Sequence, residues 1–142
     1  MSRLFGSIAV AFVMSAAVVA TASASGDSLS VSGPTSNQMG ANFNETISGM
    51  ASGPANYVAA WEQFYKHSGC APTFAAESVR AFSAHTWGLT AWLGRSVNSG
   101  HYSVVAQFGA RHAGTHGMCA YLINASTGQT YAHGDIWWNN HS

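Results

Sequence analysis

Charge is what this chain has least of. Its 142 residues include five Lys or Arg and five Asp or Glu, 7% in all, balanced to a net charge of zero with neutral histidines. Gripping a nucleic-acid backbone needs a basic face, so no nucleic-acid partner is expected. Cysteine is nearly absent: Cys70 and Cys119 are the only two. None of the tight Cys/His spacings of a structural metal site is present. After residue 25 no apolar run is long enough to span a bilayer. No internal repeat is visible, and no motif calls for a cofactor. With so little charge, solubility falls to Ser, Thr, Asn, Gln and Gly, a pattern common in surface and extracellular proteins.

What the N-terminus does have is an export signal. Arg3 supplies a short positive segment, residues 4–20 are apolar and uncharged, and Thr21-Ala22-Ser23-Ala24 offers the small residues that a signal peptidase needs. Beyond them come Ser25, Gly26, Asp27 and Ser28, not the Lys/Arg cluster of a retained anchor. Residues 1–24 are therefore expected to be removed, leaving a secreted, periplasmic or cell-envelope protein with no stable membrane span. Its partner is expected to lie in that same space. In such an oxidising compartment Cys70 and Cys119 should pair.

Residues 25–53 are rich in Ser, Gly and Asn without a sustained period, and read as a flexible arm or irregular extension. Only 42–50 could add a short element. Residues 54–142 read as a single small globular domain. Pro54 suits the first turn of a helix carrying Tyr57, Val58, Trp61, Phe64 and Tyr65, with Gly69 at its end. A second helix should start near Pro72-Thr73, burying Ala75, Val79 and Phe82 and leaving Glu77 and Arg80 in water. A third piece is expected over 86–95, with Leu89, Trp92 and Leu93 inward. Then the period changes to two. Tyr102, Val104, Ala106 and Phe108 mark a strand, 109–117 a loop, and 118–124 a second strand. Ala125-Ser126-Thr127-Gly128 turns into 129–133, and Ile136-Trp137-Trp138 closes the chain as a short strand. The expected fold class is α+β: two or three short helices followed by a small antiparallel meander with one disulfide.

Three groups of residues could carry function. The first lies at the end of the chain, where Tyr131, Trp137 and Trp138 stand beside Asn139 and Asn140. Aromatic faces next to amides suit sugars, because rings stack while amides bond hydroxyls. One of two adjacent tryptophans in a strand must face the core, leaving its neighbour outward as a contact surface. This edge supports the preferred reading: a small exported binding protein, not an enzyme, for a cell-surface or cell-wall glycan or a secreted protein.

The second group starts at Gly69-Cys70-Ala71-Pro72-Thr73, which leads into a helix. A thiol at a helix N-terminus is activated toward thiolate. With Gly100-His101-Tyr102 at a strand start, 69–82 resembles the nucleophile segment of papain-like cysteine peptidases; the likeness covers those two stretches only. It implies a compact peptidase or amidase with Cys70 as nucleophile and His101 as base. Gln63 would support the oxyanion, and Asn124 or Asp135 would orient the histidine. The third group is histidine. His101, His112, His116 and His133 could ligate Zn or Cu if the fold gathered them. Asn44, Asn124 and Asn140 also head glycosylation sequons.

Overall fold

The structure is a computed structural model that describes residues 26–63, 69–83 and 93–142. Over these residues it has eight strands and one helix: β1 (Ser28–Ser32), β2 (Ser36–Gln38), β3 (Asn42–Ala51), β4 (Tyr57–Gln63), α1 (Phe74–Ser83), β5 (Leu93–Ser96), β6 (Gly100–Gly109), β7 (Gly114–Ile123) and β8 (Thr130–His141). They form a sandwich of two sheets. The smaller has the order β1-β3-β6 and the larger β2-β8-β7-β4-β5. All pairings are antiparallel except β2 with β8.

The two sheets share one core, because alternate residues of each strand point between them. Phe43, Ile47, Val104 and Phe108 come from the smaller sheet. Val58, Ala60, Met118, Leu122 and Trp138 come from the larger. A second, smaller core lies on the far side of the larger sheet, where Ala59, Trp61, Cys119, Tyr121 and Ile123 are covered by Cys70, Phe74 and Ala81. The disulfide between Cys70 and Cys119, Cα atoms 5.6 Å apart, ties the chain leading into α1 to that face.

The fold is therefore mostly β, and the expected α+β architecture is wrong. The segment from Pro54 is β4, and Pro54 lies instead in a turn closed by the Ala55 amide on the Ser52 carbonyl. Strand β4 is buried on both faces, one against each core, so its apolar residues run together and hide the period of two. Residues 25–53 are not an irregular arm. They supply β1, β2 and β3, whose exposed positions are Ser, Asn and Gln. The helix at Thr73 is real: the Thr73 hydroxyl accepts the Ala76 amide at 3.2 Å as an N-cap. Its phase is the reverse of the expectation, since Ala75 and Val79 are exposed while Glu77 is buried. The end of the third expected helix is β5. Residues 84–92, like the export signal, lie outside the described residues. Among the described residues no helix is long and apolar enough to cross a membrane.

β6 and the turn after β7 follow the sequence pattern, with Gly128 at φ 72° where a left-handed residue is needed. β7 begins four residues before the expected Met118, and β8 is one continuous strand where two were expected.

One inward position of β3 is polar. Glu45, between Phe43 and Ile47 on β3, is fully buried and neither carboxyl oxygen has a hydrogen-bond partner. The carboxyl lies where a Cβ at Gly33 would be, so only glycine fits there. Burial pushes its pKa up to about 7. The folded protein thus holds the proton at pH values where the unfolded chain has released it. Stability contributed by this group is intact below about pH 4.5, falls as pH rises through 7, and is flat above. The expected loss is about 3 kcal/mol. Denaturant titrations of the native chain and Glu45→Gln at pH 5 and pH 8 test this: the difference between the two proteins should change with pH, and a constant difference would contradict it.

Candidate functional site

Period-two geometry sorts the end of the chain into two faces. Trp138 and Asn140 point into the sandwich and are buried, Trp138 against Phe43 and Phe108 at ring distances of 5.3 and 5.2 Å. The Asn140 amide donates to the His112 carbonyl at 3.0 Å. His133, Asp135, Trp137, Asn139 and His141 lie on the opposite, outward face of β8. Tyr131 belongs to neither row. The register shifts between Leu122 and Ile123, giving β8 one extra residue there, and Tyr131 packs against the sandwich core instead. Of the five candidate binding residues, then, Trp137 and Asn139 share a surface, while Trp138, Asn140 and Tyr131 are taken from it.

The outward surface includes residues that the sequence did not flag. Asn139 is paired on one side with Ser36 of β2 and on the other with Thr115 of β7, all three exposed. His141 is paired with Gln38, and its ring lies 3.3 Å from the Ser36 hydroxyl. Trp137 lies across Gly117, where an added Cβ would sit 2.2 Å from the indole ring. Its indole N–H donates to Asp135 at 2.5 Å. His133 packs obliquely on the Tyr121 ring at 6.1 Å. The patch is a ring fixed in place, with an amide and two hydroxyls beside it. Ser36 was hidden in the presumed arm and Thr115 in the presumed loop. Only the pairing of both strands with β8 reveals them.

Beside this patch α1 packs through a buried polar contact. Glu77 accepts the Ala71 amide at 2.6 Å, and the Tyr121 hydroxyl lies 2.8 Å from the Ala71 carbonyl and 3.1 Å from Glu77. Arg80 approaches Glu77 at 3.5 Å and donates to the Gly69 carbonyl. Burial, then the neighbouring Glu77, raises the Tyr121 pKa. The hydroxyl therefore stays protonated and serves as a structural donor.

The peptidase-like residues are not assembled. Cys70 is bonded to Cys119 and carries no free thiol. His101 is exposed on β6 of the smaller sheet, paired with Met50, on the other side of the sandwich from Cys70. Gln63 is buried in β4, and Asp135 is held by Trp137. The Asn124 side chain accepts the Ser126 and Thr127 amides in the β7–β8 turn. Nor are the four histidines gathered: His112 and His116 are neighbours, but His101 and His133 lie elsewhere. His101 is on β6, His133 on outward β8, and His112 in the loop before β7. His116 is buried, which lowers its pKa, although the His112 and Ala113 carbonyls oppose that shift. Among the described residues no three His, Cys, Asp or Glu are grouped to hold a metal ion. Of the sequons, Asn44 is exposed and Asn140 buried.

No family model matches this chain, and no curated protein matches it. Among solved structures it is similar to the CARDB domain of a Pyrococcus furiosus protein, solved in complex with di-metal ions. The TM-score is 0.51 at 9% identity, over 82% of this chain and 90% of that one. At such identity the likeness is one of fold alone.

Proposed function

We propose that this is an exported, non-catalytic binding domain for a cell-surface or cell-wall glycan, with the outward face of β8 as its contact surface. The observation that carries the reading is the patch around Trp137 and Asn139. An indole held by Gly117 and Asp135 keeps one orientation, so little side-chain freedom is lost when a sugar ring stacks on it. Asn139, Ser36 and Thr115 supply donors and acceptors in the same plane for sugar hydroxyls. The near absence of charge favours a neutral ligand over a phosphate or an acidic polymer. The disulfide and the export signal are both in keeping with an oxidising, extracellular setting.

Calorimetric titration with N-acetylglucosamine oligomers and with solubilised cell-wall glycan tests the proposal. Binding is expected to weaken by about tenfold or more in Trp137→Ala, corresponding to 1.4 kcal/mol or more, and by less in Asn139→Ala. Equal affinity in native protein and Trp137→Ala would refute this surface. Failure of every glycan, with capture of a protein partner through the same patch, would refute the glycan assignment.

A further inference from the structure

Strand β6 is the long open edge of the smaller sheet. It runs for ten residues, and β3 is its only partner strand among the described residues. In such a strand about half of the backbone N–H and C=O groups point away from the partner, a template for another strand. The other edges are short: β1 has five residues, β2 three, and β5 four with Arg95 among them. Proteins guard long edges with Lys, Pro or inward charges. β6, Gly-His-Tyr-Ser-Val-Val-Ala-Gln-Phe-Gly, has none of these. At its centre Val105 turns its side chain outward and is 54% exposed.

We propose that β6 pairs antiparallel with β6 of a second copy, about a two-fold axis at Val105, joining the two smaller sheets into one of six strands. The sequence of the strand suits itself. With the axis at Val105, each Val105 meets its own copy, Ser103 faces Gln107, and His101 faces Gly109. No like charges oppose one another along the seam. Arg111, two residues past the strand, falls at opposite ends of the paired strands. Nor does the whole molecule resist pairing: without residues 1–24, and so without Arg3, four basic and five acidic side chains remain, a net charge of −1, and copies feel little long-range repulsion. The pairing satisfies the open backbone groups and covers the exposed Val105 side chains. It also turns the outward faces of both β8 strands to the same side of the joined sheet, whatever those faces bind.

Sedimentation of the disulfide-bonded protein over a concentration series reads this directly. The native chain should form a dimer, Val105→Lys should be a monomer with an unchanged far-ultraviolet circular dichroism spectrum, and Ser32→Lys on the opposite edge should still dimerise. Val105→Cys should oxidise to a covalent dimer, which fixes the register independently of the lysine variant. A native chain that stays monomeric would overturn the proposal. So would a dimer that survives Val105→Lys, or a chain that pairs along β6 only with a strand of another polypeptide.

Discussion

Replacing Trp138 by alanine is expected to destabilise the protein by about 3–5 kcal/mol, whereas Trp137→Ala should cost only about 1–2 kcal/mol. The two are neighbours in one strand and identical in type, so composition cannot distinguish them. Their faces do. Trp138 is 2% exposed and closes the sandwich against Phe43 and Phe108. Truncating it empties a volume that two sheets cannot easily collapse to fill. Trp137 lies half-buried on the outward face over Gly117, where truncation mainly uncovers a strip of backbone. Small domains are stable by roughly 5–15 kcal/mol, so the Trp138 variant should be near the limit of folding at room temperature. Urea titrations of both variants check this. Equal losses would mean that the two side chains do not alternate as described.

Removing the disulfide, by Cys70→Ala with Cys119→Ala, should destabilise the fold by about 4 kcal/mol. The bridge closes a separation of 49 residues, and the unfolded chain regains that loop entropy when it is lost. The loss should be felt first by α1. Beyond the bridge, contacts in this region include the Glu77 and Tyr121 bonds to Ala71, the Arg80 bond to Gly69, the Phe74 amide bond to the Thr130 hydroxyl, and the packing of Phe74 and Ala81. Hydrogen exchange in α1 should therefore rise more than in β3 or β6. A loss below about 1 kcal/mol would show that strain in the folded bridge offsets the entropic gain.

β6 was legible because one of its faces meets water, so buried apolar residues recur at every second position from Tyr102 to Phe108, with Ser103, Val105 and Gln107 between them. β4 was not, because both of its faces are covered, and Tyr57, Val58 and Trp61 fit a helical stripe equally well. β1 was hidden by composition, since Ser28, Ser30 and Ser32 are simply the outward half of a strand; β3 was read only as a short element over 42–50, because Glu45 and Gly49 interrupt its inward half. For α1, Thr73 marked the start correctly, but Glu77 misled. A carboxylate is expected in water unless a buried partner is known; Glu77 bonds the Ala71 amide just before the helix and the Tyr121 hydroxyl from a distant strand, and the latter contact cannot be read locally. The candidate surface was half legible for a similar reason. Trp137 and Asn139 were flagged by type, whereas Ser36 and Thr115 join them only through strand pairing.

The central claim is that the outward face of β8, and no other surface, receives a glycan. A titration of isotopically labelled protein with cell-wall glycan fragments, followed by amide and side-chain nuclear magnetic resonance, addresses it most directly. The account predicts shifts at the Trp137 indole, Asn139, Ser36 and Thr115, with the buried Trp138 indole and the open β6 edge unaffected. Shifts confined to β6 or to the outer face of the smaller sheet, or none at all at saturating glycan, would contradict it.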